Sequence, residues 1–82
     1  MKFELFSQVV LAKDLANTPF KQGDLATIVE CVEGRNGKPN GYVLEIFDWK
    51  GKTLDVLAVL ETDLIQPKSR AVIAFRELEE VA

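Results

Sequence analysis

The 82-residue chain has no histidine and a single cysteine. The first absence removes the commonest general base and metal ligand near neutral pH. The second forbids an internal disulfide. Cys31 lies in an apolar run and reads as a buried, inert thiol of a reducing compartment. Ser7 and Ser69 have no nucleophile context. Gly34, Gly37 and Gly41 lead into a strand and not a helix, so no phosphate-cradling loop is expected. The carboxylates are scattered over turns and strand edges, where solvated charge is the simpler reading than an acid–base pair. No apolar run approaches the ~20 residues that span a bilayer, and Glu4 interrupts the apolar core that a signal peptide would need. Excess positive charge is missing as well. Ten Lys/Arg stand against thirteen Asp/Glu, a net charge of −3. An acidic domain suits a basic protein better than nucleic-acid phosphates or anionic lipid. The expectation is a cytoplasmic, non-catalytic protein with no metal, no cofactor and no small-molecule substrate.

What is present is β-sheet pattern. A chain of this length is one domain by default and buries about 60–65% of its unfolded surface. Gln8–Ala12 reads as a first strand. Lys13–Asp24 is a long loop, with Asn17, Pro19 and Gly23 as turn residues and Leu15 and Phe20 as anchors to the core. Leu25–Val32 is a second strand in which neither alternate face is cleanly apolar, as expected of a strand that bends. Glu33–Gly41 is a loop. Tyr42–Phe47 and Thr53–Leu60 are strands joined by a tight turn at Asp48–Lys52, where Gly51 takes positive φ. One 3₁₀ turn over Glu61–Asp63 leads to a short last strand, Leu64–Gln66, stopped by Pro67. Ser69–Ala82 is ambiguous. Ala71–Phe75 has strand composition, but Ala71, Phe75 and Leu78 also fit helical spacing, and a strand with a frayed tail is the preferred reading. Phe3, Leu5 and Phe6 are expected to plug one end of the fold.

Strict alternation places Ala26, Ile28, Val32, Leu44, Ile46, Val56 and Leu64 in the core, with Leu54 and Leu60 beside them. It then turns Val43, Phe47, Leu57 and Val59 outward, next to Trp49 in the turn. An apolar wall of that kind is unusual on a monomer. Either Val72, Ile73 and Phe75 cover it, or it docks a second copy or another protein. The candidate partner-binding residues are Val43, Phe47, Trp49, Leu57, Val59 and Phe75, with Phe47 and Trp49 as anchors.

Five strands, a long first loop, a hairpin between strands three and four and a one-turn link to the fifth resemble an SH3-like barrel over residues 1–67, with 68–82 as a C-terminal extension. A closer resemblance rests on Phe3–Phe6, Val9-Val10-Leu11, Lys13-Asp14-Leu15, Phe20–Asp24, Ala26–Glu30, Tyr42–Asp48 and Asp63-Leu64. These residues resemble a family of small bacterial proteins, domain of unknown function 4926. That family has no assigned activity, so the resemblance implies no catalytic residue. Proline-rich ligands are disfavoured, because the first long loop offers only Phe20 as an aromatic. The Gly23–Val29 run also resembles a KOW-type RNA-associated barrel, for which Lys38, Lys50 and Lys52 with Tyr42 and Trp49 would form a small basic face. The acidic balance argues against it. The leading expectation is a protein-binding module, antitoxin-like or immunity-like, that masks a basic protein or forms a homodimer. An RNA-associated module and an accessory domain or subunit of a larger enzyme are the alternatives.

Overall fold

In the computed structural model, which describes residues 1–79, the chain is all-β. The strands are β1 (Gln8–Leu11), β2 (Leu25–Val32), β3 (Gly41–Phe47), β4 (Thr53–Leu60) and β5 (Leu64–Ile65), with a 3₁₀ turn at Glu61–Asp63. They form one antiparallel sheet in the order β4-β3-β2-β1-β5. The expected closed barrel is therefore an open sheet, with β4 and β5 as its two edges. It is nonetheless curled. A flat sheet of five strands would hold its edge strands about 19 Å apart at ~4.8 Å per step. The four Cα steps from Leu60 to Leu64 reach at most about 14 Å. The link is stitched to both sides: Glu61 N–H donates to Asn40 O at 2.9 Å, and Ala12 N–H to Asp63 O at 2.7 Å.

The concave face holds the core. Val9 and Leu11 of β1, Ala26 and Ile28 of β2, Tyr42, Leu44 and Ile46 of β3, Val59 of β4 and Leu64 of β5 are buried. Phe3 and Phe20 close the ends. Leu5 and Phe6, expected beside Phe3, are exposed. Leu15, the second expected loop anchor, packs partly buried against the core.

Two expected core residues, Val32 and Val56, face solvent, and the cause is the same in both strands. In β2 the register slips between Ile28 and Glu30, so Ile28 faces Leu44 but Glu30 faces Val43. Val29 is an extra residue, and beyond it the core-facing parity changes from Ala26 and Ile28 to Cys31. In β4 the slip falls between the Phe47↔Thr53 and Ile46↔Asp55 pairs, which makes Leu54 the extra residue. Directly opposed residues share a face. Leu57 therefore lies beside Leu44 and Val59 beside Tyr42, on the core side. This corrects the outward placement of Leu57 and Val59. Leu54, Val56 and Leu60 take the exposed positions instead. Each bulge also adds local twist, which helps a sheet this small to curl over its own core.

The tail beyond Pro67 is neither strand nor helix over the described residues. Arg76 holds it down, with Nε 2.9 Å from Asp24 Oδ1 and Nη2 donating to Asp24 Oδ2 and to Pro19 O. Leu78 packs partly buried against the core. Between these anchors and Pro67, Ala71–Ala74 lie beside Val10, Gly23 and Leu25, on the β1 side of the sheet. Residues 80–82, the end of the extension, are outside the described residues.

Candidate functional site

The feature that stands out is β4. It is an edge strand of eight residues, of which only Val59 is buried. Its outer wall carries Val56 opposite Glu45 and Ala58 opposite Val43, with Leu60 opposite Gly41. Leu54, Val56 and Leu60 are 46%, 52% and 48% exposed, so about half of each side chain is open to water. Such an edge presents a row of backbone donors and acceptors with apolar side chains above them.

Two of the donors are already occupied by carboxylates. Val56 N–H donates to Oδ1 of Asp55 at 2.7 Å, and Leu60 N–H to Oδ2 of Asp63 at 3.0 Å. Neither points at β3, and antiparallel alternation turns the Ala58 N–H the same way. Asp55 is exposed, so its bond to the next residue is open to exchange. Asp63 is buried, and its Oδ1 lies 2.9 Å from Lys13 Nζ. That second guard is part of the stitched link. Alternation does not reveal acid guards of this kind; an acid directly before Val56 in a strand is the signal that could show one.

At the C-terminal end of β4, the β2–β3 loop overhangs an open cleft of about 530 Å³. Val32, Pro39, Leu60 and the stems of Arg35 and Lys38 line it. The loop is tightly built. Gly34 N–H donates to Asn40 Oδ1 at 2.9 Å, and a Cβ on Gly34 would fall 2.0 Å from Lys38 O.

The expected site residues divide. Phe47 is 40% exposed and Trp49 lies fully out on the hairpin turn, with Lys50 Nζ 5.1 Å over its ring. Asp48 fixes that turn, its Oδ1 accepting from the N–H groups of Lys50 and Lys52, and Gly51 has φ +88°. Val43 is half-buried on the outer wall. Leu57 and Val59 belong to the core. Phe75 is exposed on the tail, and Val72 and Ile73 are too, so none of the three covers the β3–β4 wall by burying itself.

The basic and aromatic residues do not converge. Tyr42 is buried, its hydroxyl accepting from Phe3 N–H at 3.1 Å and donating to Glu61 Oε2. Lys38 precedes β3, whereas Trp49, Lys50 and Lys52 follow it, a strand length of roughly 20 Å away. Among the described residues no cluster of three or more Cys, Asp or Glu is placed to hold a metal ion, and no helix is long and apolar enough to cross a membrane.

No curated protein and no solved structure matches the chain. Residues 5–66, from the segment before β1 through β5, match the model of one family, and the chain belongs to it: Domain of unknown function (DUF4926).

Proposed function

We propose that this chain is a non-catalytic protein-binding module that recruits its partner along the β4 edge and outer wall. The observation that carries this reading is the long, unpaired edge strand with Leu54, Val56 and Leu60 half-exposed. Strand addition at such an edge draws affinity from main-chain hydrogen bonds and selectivity from alternate side chains. The acidic balance favours a basic partner, as in an antitoxin-like or immunity-like role where a small acidic domain masks a basic protein. An enzyme that uses the chain as an accessory subunit would dock in the same way. Five of the carboxylates have structural duties, which supports a non-catalytic reading. Asp24 is tied to Arg76, Asp48 caps a turn, Asp55 and Asp63 guard the edge, and Glu61 holds Tyr42. An RNA-associated role lacks a platform, since Tyr42 is buried and the lysines lie at opposite ends of β3.

The test is a comparative capture from native extract with the wild-type chain, Val56→Asp and Gln22→Asp. The expected result is a bound protein that is lost with Val56→Asp and kept with Gln22→Asp. Capture indifferent to Val56→Asp, or a bound fraction composed of RNA, would remove the reading.

A further inference from the structure

Among the described residues, two β elements combine apolar side chains with unpaired backbone. The first is the β4 edge. The second is Ala71–Phe75, a run rich in strand-forming residues that forms no strand. Val72, Ile73 and Phe75 are 90%, 78% and 87% exposed, and among the described residues the N–H groups of residues 72–75 meet no backbone carbonyl. The segment is held out and not loose: Pro67 is half-buried on one side, and the Arg76–Asp24 fork and Leu78 anchor the other. Its charge is opposite to that of the body. Residues 1–67 carry seven bases and ten acids, whereas residues 68–76 carry three bases, Lys68, Arg70 and Arg76, and no acid.

From these complementary elements we infer that the 71–75 segment of one copy adds as a strand to the β4 edge of a second copy. The inference rests on the β4 reading above and names an occupant for that edge. The incoming strand takes the Ala58 N–H and displaces the Asp55 carboxylate from Val56 N–H. The freed carboxylate then faces a segment flanked by Lys68 and Arg70. Ile73 and Phe75 share one face of the added strand and bring apolar surface to Val56 and Leu60, which water now touches. An extended five-residue run fits within the eight residues of β4. Reciprocal exchange closes a dimer, while one-way addition continues as a chain of subunits.

Sedimentation velocity on the full chain from micromolar to millimolar concentration tests this, with Ile73→Asp and Ala58→Pro. Ile73 is exposed, so its substitution leaves the fold intact. Proline removes the Ala58 N–H, which points away from β3, and is tolerated on an edge. The expected result is self-association that weakens with salt and falls about tenfold or more with either variant. An equimolar mixture of the two should regain part of it, since one supplies the segment and the other the edge. Should Ala58→Pro fail to fold, amide exchange at Ala58 decides: it slows with concentration in the wild-type chain and not in Ile73→Asp. A monomer at every concentration overturns the inference, as does association that survives Ile73→Asp, which would indicate direct β4–β4 pairing. A monomeric chain that still loses a captured protein with Val56→Asp defeats this inference alone and leaves the proposed function standing.

Discussion

Tyr42 and Arg76 tie down the two ends of the described chain. The Tyr42 ring packs edge-on to Phe3, with centroids 5.5 Å apart, and its hydroxyl bridges Phe3 N–H and Glu61. Burial and the bond to Glu61 hold the phenol above its ordinary value, and the same bond holds the Glu61 carboxyl below its own. Tyr42→Phe leaves the buried Phe3 N–H without an acceptor, so it should cost about 1–3 kcal/mol in urea unfolding. Asp24 behaves differently. Burial alone pushes its carboxyl up, but the Arg76 hydrogen bond, the Lys21 N–H and the nearby positive charges pull it below the ordinary 3.8. The native state therefore favours the charged form. The resulting stability is fully present above the ordinary value and is lost as pH falls through the lowered one. Arg76→Ala should lower the urea midpoint at neutral pH, and the gap from wild type should close as pH drops below 3.8. A gap that stays constant into acid would mean that the fork contributes only packing.

At the scale of elements, two glycines make different demands. Gly34 has ordinary φ but no room, since an added Cβ would meet the Lys38 and Pro39 carbonyls. Gly34→Ala should cost about 1–3 kcal/mol through backbone displacement, read as a lower unfolding midpoint with a broadened cleft loop. Gly51 has open space but φ +88°, so Gly51→Val should cost roughly 1 kcal/mol or more through strain alone. Gly51 was legible from the Asp48–Lys52 turn, and the strands were legible to within a residue at their ends. The 3₁₀ link could be read from three polar residues between apolar runs. The faces could not. β2 and β4 are apolar at both parities, so alternation alone cannot locate a single extra residue, and the bulges at Val29 and Leu54 reverse which side is buried. Alternation therefore puts Leu57 and Val59 on the outer wall, where the structure does not, while Val43, Phe47 and Trp49 lie where it expects them. The open tail was equally hidden. Its composition suits a strand, yet Ala71–Phe75 is irregular, and among the described residues the N–H groups of residues 72–75 meet no backbone carbonyl.

For the whole molecule, the body and the tail are separable in energy. Pairing and core packing lie in residues 3–65, and the described tail adds the Arg76 fork and partial burial of Leu78. A chain ending after Pro67 should stay folded and lose about 1–3 kcal/mol, checked by near-UV circular dichroism and urea titration. Unfolding on truncation would make the tail a structural strap. The strand order carries one more consequence, in time and not in space. β2, β3 and β4 are hairpin neighbours, but β5 pairs with β1 through Val10↔Ile65, nearly the whole domain apart in sequence. Closing that distance has a larger entropic cost than zipping a hairpin, so the meander forms first and the β1–β5 pair last. Leu44→Ala should therefore slow refolding, whereas Leu64→Ala should chiefly hasten unfolding. Once the meander has formed, and before β5 has docked on β1, the outer edge of β4 is already open to other chains. Asp55, seated on the Val56 N–H, is then a gatekeeper against other partly folded chains, at work before the protein has finished folding.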